Sequence, residues 1–241
     1  YNQARYGLEG FKISIHNIGD IDIEELLALA SAHGESQPSV QFALESSIYD
    51  LASKIKKIPL NKLLSNNYLE SVKVSYYENN SHSSFDGMII KIKITNKNLF
   101  KSIERLETIL KKYKTNIKLR LDINGMFDLP RAIRFCKMIE NMPIDYIEQP
   151  LDTNNYEDMY ELSLHTDIPI AADEMIGDIS SVYRILESQS ASVFVLKPMI
   201  IGGISNVKNI IKLIKSDSKR VNLSSLLESN VGRLSYLHMC S

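Results

Sequence analysis

The chain has 241 residues, enough for one full α/β barrel or for two smaller domains. Its 28 basic and 29 acidic residues nearly cancel, and no basic block interleaves with aromatics, so nucleic acid and membrane surfaces have no electrostatic footprint as partners. Cys136 and Cys240 lack metal-ligand or disulfide-framework spacing, and no spanning helix or signal-peptide pattern occurs, so a cytoplasmic enzyme is expected. A first residue of Tyr1 rather than Met makes the sequence read as a fragment or a processed product.

In Gly7-Leu-Glu-Gly-Phe11-Lys-Ile13-Ser-Ile15-His16 the apolar residues alternate, which predicts a half-buried antiparallel strand closed by a turn at Gly19-Asp20. From Pro38 a long helix is expected: Val40, Leu44, Ile48, Leu51 and Ile55 share a face, and Pro38 suits a first turn. Residues 1–68 therefore read as a partial α+β unit, and residues 69–241 as a separate domain.

In that domain, strand-like runs alternate with amphipathic helices, the pattern of right-handed βαβ units in a parallel sheet, best closed as a barrel. Strands are expected at Val72–Tyr76 and Met88–Thr95, from Ile117, Ile144, Ile168 and Val193, and at Arg220–Leu227. Helices are expected around Leu99–Leu110, from Asp128, and over about Tyr156–His165, Ser180–Gln189 and Ile204–Lys215. After Gly232 too few residues remain for an eighth strand. Seven strands leave a seam, which predicts a longer chain, a second copy or aggregation.

Five of these strands end in charge: Lys91 with Lys93, then Asp122, Glu148, Asp173 and Lys197. Strand C-terminal ends share one face of a barrel, so spacing alone gathers them. A lone strand-end acid is commonly a turn or helix cap. Here three recur, 26 residues apart (122 to 148) and then 25 (148 to 173), one per βα unit. Hard oxygen donors without His or Cys select Mg2+, with Mn2+ as the alternative.

Lys91 and Lys93 point to one side of their strand, opposite Ile90, Ile92 and Ile94. Alone they read as an exposed edge kept soluble by lysine. Beside carboxylates they read as a base with a neighbour: a free lysine titrates near about 10.4, a neutral-pH base works best near about 7 to 8, and a second ammonium, a cation and burial all disfavour the charged form. Lys197 is an opposing acid or base, a fixed charge over a developing anion, or a solvated strand end. Gly202 and Gly203 precede a helix and are either an anion site or a plain turn. Ser224, Ser225 and Glu228 are candidates for substrate oxygens or for capping.

Together Lys91-x-Lys93, Asp122-x-Asn124, Glu148-Gln-Pro150, Asp173-Glu174 and Lys197-Pro198 resemble the enolase superfamily, in its muconate-lactonizing-like subgroup. Leu196-Lys197-Pro198 through Gly202-Gly203, then Ser224-Ser225-Leu-Leu-Glu228-Ser229-Asn-Val-Gly232, looks like the o-succinylbenzoate synthase family of menaquinone synthesis. The resemblance implies a (β/α)7β barrel with an α+β capping domain, both incomplete in this chain. It also implies Mg2+ on Asp122, Glu148 and Asp173, and Lys93 as the base that removes the proton α to a carboxylate and returns it to the departing hydroxide. Lys91 would tune Lys93, and Lys197 would face the enolate. Asn124, Gly202, Gly203, Ser224, Ser225 and Glu228 would contact a small carboxylate substrate. An epimerase of dipeptides or N-acylamino acids, or a non-catalytic remnant, are the alternatives; an oligomer fits either enzyme.

Overall fold

The computed structural model describes residues 2–16, 22–78, 86–95, 98–113, 116–226 and 228–241. In chain order, four helices come first: α1 (Asn2–Ile15), α2 (Ile23–Gly34), α3 (Pro38–Lys56) and α4 (Leu60–Leu64). Strands and helices then alternate: β1 (Ser75–Tyr77), β2 (Met88–Lys93), α5 (Leu99–Lys112), β3 (Ile117–Asp122), α6 (Leu129–Ile139), β4 (Ile144–Glu148) and α7 (Tyr156–Leu164). There follow β5 (Ile170–Ala172), α8 (Ile179–Glu187), β6 (Val193–Leu196), α9 (Pro198–Ile201), α10 (Gly203–Ser216), β7 (Arg220–Leu223) and α11 (Asn230–Cys240).

These elements form two compact units. The first contains Tyr1–Val72, Leu196–Ser216 and Asn222–Ser241; the second contains Lys73–Val195 and Asp217–Val221. No helix among the described residues is long and apolar enough to cross a membrane.

In the first unit, the expected strand at residues 7–16 is part of α1 instead. Alternation put Phe11, Ile13 and Ile15 on one side, but Ile13 is 66 % exposed, while Ala4 and Phe11 pack against the cluster of Leu26, Ala30, Val40, Leu44 and Ile48. The face that matters is Ala4, Gly7, Phe11 and Ser14, spaced as on a helix. A methyl group on Gly7 would lie 2.7 Å from the His33 carbonyl, and Ser14 Oγ is 2.9 Å from His33 Nε2. Tertiary packing thus overrides a weak local pattern. The turn expected at Gly19-Asp20 lies outside the described residues.

Asp22 starts α2 by accepting the Glu24 N–H at 2.8 Å. Pro38 opens α3 as expected, and Lys57 closes it in the left-handed region. In a second apolar cluster Phe42, Ile204 and Tyr236 pack together, with their partly buried neighbours Tyr49, Leu64 and Met199.

The sheet runs β1-β2-β3-β4-β5-β6-β7 in order, and each successive pair from β1 to β6 is parallel. Unbroken sequential order, with a helix at each crossover from β2 onward, is the winding of a (β/α) barrel. Ile90, Ile92, Leu119, Leu121 and Ile147 are buried completely, which accounts for the apolar half of each alternating strand. Asp128 caps α6 by accepting the Arg131 N–H, with Pro130 in the first turn. Asp178 and Ser181 form a reciprocal capping box on α8. β7 ends at Leu223, short of the expected Leu227, which lies outside the described residues.

Candidate active site

Strand register sets the charged groups. Lys93 pairs with Asp122 across β2 and β3, and Asp122 pairs with Glu148 across β3 and β4. Two residues earlier, Lys91 pairs with Arg120 and Arg120 with Tyr146. Side chains two apart on a strand share a side, so the interior is layered: Lys91, Arg120 and Tyr146 below, Lys93, Asp122 and Glu148 above. Asp173 follows directly on β5. The ladder continues through the strand ends, with Ile94 N–H donating to Asp122 O, Ile123 N–H to Glu148 O and Gln149 N–H to Ala171 O.

All three carboxylates are buried, Glu148 completely. Lys91 bridges two of them, its Nζ lying 2.6 Å from Glu148 Oε1 and 2.9 Å from Asp122 Oδ2. Burial alone would lower the Lys91 pKa; the Glu148 and Asp122 carboxylates outweigh it, so Lys91 is held well above the ordinary lysine range. Lys93, the lysine expected to act as the base, lies one layer higher and is exposed. The Glu148 carboxyl is pushed upward, to about 8, by burial first and then by the Asp122 and Asp173 charges, against the pull of Lys91.

Among the described residues the part-buried Lys91 ammonium bridges two of these buried acids, and Asp173 follows on the next strand, so a divalent cation would find three oxygen-donor side chains on consecutive strands. Asp122 Oδ1 and Glu148 Oε2 are buried and, among the described residues, receive no hydrogen bond. Such oxygens are costly to leave unsatisfied, and a hard cation is the partner that an all-carboxylate set selects. Among the described residues no three acidic, His or Cys side chains form a ready-made metal cage. Instead the Lys91 ammonium bridges two carboxylates, a role that an ion can take. The donor set fits Mg2+.

Gln149, which the motif contained but which drew no role, organises this region. It is fully buried, its Nε2 donates to Leu151 O at 2.9 Å, and its Oε1 accepts from Asp173 N at 3.1 Å and Met175 N at 3.2 Å. One amide thereby ties the end of β4 to the end of β5. The available signal was an uncharged polar residue between a strand-end acid and a proline. Asn124 donates to Glu174 Oε1 at 2.7 Å, which links the end of β3 to the same segment.

In the first unit, Lys197 stands at the N-cap of α9, and Ser224 N–H donates to Leu196 O at 2.9 Å. Ser225 is exposed. Glu228 accepts a hydrogen bond from the Tyr236 hydroxyl. Near the helix start after Gly202-Gly203, expected to be either an anion site or a plain turn, two N–H groups are engaged by the chain itself. Gly202 N–H donates to Pro198 O at 3.0 Å, and Ser205 N–H donates to Glu45 Oε2 at 2.8 Å.

A parallel βα sheet carrying acids at the ends of three consecutive strands and lysines at the end of the strand before them defines a protein of the enolase type. The family described as enolase C-terminal domain-like matches residues 86–241, and the chain belongs to that family. It is similar to L-Ala-D/L-Glu epimerase of Clostridium acetobutylicum, 28 % identical over 95 % of this chain and 67 % of that protein. It is also similar to o-succinylbenzoate synthase of Thermobifida fusca, 29 % identical over 54 % of this chain and 39 % of that protein. Among solved structures, the dipeptide epimerase of Cytophaga hutchinsonii, complexed with Mg and the dipeptide D-Ala-L-Val, superposes with a TM-score of 0.82, covering 99 % of this chain and 67 % of that one at 24 % identity. The chain spans about two thirds or less of the length of the curated relatives it matches.

Proposed function

We propose that the protein is a Mg2+-dependent dehydratase that forms o-succinylbenzoate from 2-succinyl-6-hydroxy-2,4-cyclohexadiene-1-carboxylate. The observation that carries the reaction class is the register of Lys93 with Asp122 and of Asp122 with Glu148, which sets a lysine at the rim of a buried carboxylate cluster. The Lys197-Pro198 to Gly232 motif supports the synthase within that class.

Asp122, Glu148 and Asp173 would hold Mg2+. The ion, when bound, supplies positive charge that draws electrons from the substrate carboxylate and acidifies its α-hydrogen. Lys91 keeps its proton between Asp122 and Glu148 and orients both. Lys93, as neutral amine, takes the α-proton and leaves the C–H electrons delocalised into the substrate carboxylate as an enolate; when that anion collapses, the electrons form the new ring double bond and the C–O bond to the hydroxyl breaks. Lys93 then gives the same proton to the departing hydroxide, and water leaves. Lys197 supplies fixed positive charge to the anion that forms in between.

A second reading, a dipeptide or N-acylamino acid epimerase, is supported by the 28 % identity to the Clostridium enzyme over nearly the whole chain. The two differ in the job of Lys197, because an epimerase must return the proton from the opposite face. The test supplies the cyclohexadiene substrate and follows the aromatic product, then incubates dipeptides and N-succinylamino acids in D2O. Aromatic product that survives Lys197→Arg, a change that keeps charge without a usable base, supports the dehydratase. Absence of product, with α-deuterium exchange dependent on Lys93 for one enantiomer and Lys197 for the other, assigns the epimerase.

A further inference from the structure

A buried acid that the chemistry above does not use is Glu45, in the middle of α3. It is 1 % exposed, so its charge cannot be left to solvent. Gln41 Nε2 donates to its Oε1 at 2.9 Å, and Ser205 N–H, in the first turn of α10, donates to its Oε2 at 2.8 Å. The start of α10 is thus capped by a carboxylate from 160 residues away in the chain rather than by a local side chain.

The segment between Lys197 and Ser205 is shaped for this contact. Gly202 and Gly203 both have φ of +88°, in the left-handed region where side chains are strained. A methyl group on Gly203 would lie 2.5 Å from Glu45 Oε1, and one on Gly202 would lie 3.2 Å from Gln41 Oε1 and 3.3 Å from Pro38 Cα. The glycines therefore let the turn press against α3. From that turn back to Lys197 the chain is continuous hydrogen-bonded backbone: Ile200 and Ile201 donate to Lys197 O, and Gly202 to Pro198 O. Asn206 Nδ2 adds a bond to Gly202 O at 2.7 Å.

We infer that Glu45 is a positioning residue: its carboxylate takes the anion place at the N-terminus of α10 and thereby fixes the Gly202-Gly203 turn and the Lys197 that leads into it. The inference rests on the dehydratase reading for what Lys197 does. It also closes this helix start to a substrate carboxylate.

The test uses Glu45→Ala and Glu45→Gln in the protein, with Ser205 amide exchange and steady-state dehydration measured with and without added sodium formate. In Glu45→Ala, Ser205 exchange should rise about tenfold or more while amides of β3 keep their protection. kcat should fall about tenfold with KM nearly unchanged, since misplaced charge weakens the reaction more than binding. Formate, a carboxylate small enough for the vacated space, should restore both quantities. Glu45→Gln keeps the volume and one acceptor oxygen, so it should fold even if Glu45→Ala does not, with a smaller loss of kcat and no response to formate. Wild-type kcat in a folded variant whose Ser205 amide has lost protection overturns the inference, as does a loss of kcat in Glu45→Ala that formate leaves untouched. If the unaltered protein makes no aromatic product, the dehydratase reading fails by itself, and Ser205 exchange with formate rescue still decides whether Glu45 holds the helix start.

Discussion

Arg220 at the start of β7 donates from Nη2 to Asp145 Oδ1 on β4 at 2.8 Å, although three strand spacings separate the two in sheet order. At about 4.8 Å per strand a flat sheet would hold their backbones about 14 Å apart. The contact requires the sheet to curl. Arg120 on β3 also donates to Asp145, at 2.8 Å, and the Arg120 and Arg220 guanidinium groups lie 4.8 and 5.9 Å from the Tyr146 ring centroid. A charged and aromatic floor thus underlies the layer that carries Asp122 and Glu148.

Asp145→Asn should cost about 3 kcal/mol near neutral pH, because it removes the negative charge that the part-buried Arg120 and Arg220 share. Burial by itself would raise the Asp145 pKa, but hydrogen bonds and charge from Arg120 and Arg220 outweigh it and hold it below the usual carboxylate range. A depressed folded pKa gives stability that is present above the unfolded value of about 3.9 and lost as pH falls through the folded one. The gap between unaltered protein and variant should therefore narrow below about pH 4. Urea midpoints at pH 7 and pH 3.5 measure it; an equal gap at both would exclude the ion pair as its source.

Mg2+ should stabilise the protein, by about 2.7 kcal/mol at a hundredfold excess over Kd, visible as a rise of several degrees in Tm. Ligating carboxylates must be deprotonated, and Glu148 is pushed up to about 8, so the affinity should increase as pH rises toward that value. Glu148→Gln should abolish the shift. A metal effect that survives this substitution would place the ion elsewhere.

Lys91→Met should separate the ammonium from the metal. Without Mg2+ it leaves Asp122 and Glu148 with one counter-charge fewer and should lower stability by about 3 kcal/mol. With saturating Mg2+ the loss should shrink, because the ion supplies the missing charge. Calorimetry of both proteins with and without Mg2+ gives the four numbers needed, and an identical metal response in the two would contradict the bridging role of Lys91.

Lys93→Ala should lower turnover by about 10²- to 10⁴-fold, the range for removal of a general base. Its effect on the Mg2+-dependent Tm shift should be small, since Lys93 is exposed and lies outside the bridged pair. A variant that loses metal binding along with activity would mean that Lys93 supports the cluster rather than moves a proton.

The placement of Asp122, Glu148, Asp173, Lys91 and Lys93 on neighbouring strands was legible because a repeating βα unit delivers one strand end per repeat to the same edge of the sheet. Periodicity fixed which residues share a side, and register then followed from parallel pairing. The protonation of Lys91 was not legible, since it depends on distances of 2.6 and 2.9 Å to acids on two other strands. Gln149 stands within the Glu148-Gln-Pro150 motif, but its use of one amide to hold Asp173 and Leu151 is visible only in space.

By itself the sequence determined the order of strands and helices from residue 88 to residue 216, apart from the short α9, and the edge on which its charges fall. Both rest on local periodicity and on the chirality of the βα crossover, which act over tens of residues. Tertiary structure alone decided that residues 2–15 are a helix, because their alternating pattern is weak and the surface of α2 and α3 rewards the face of Ala4, Gly7, Phe11 and Ser14. It alone also decided which anion stands at the start of α10. Glu45 reaches Ser205 across 160 residues, and a contact of that separation leaves no periodic trace in the chain.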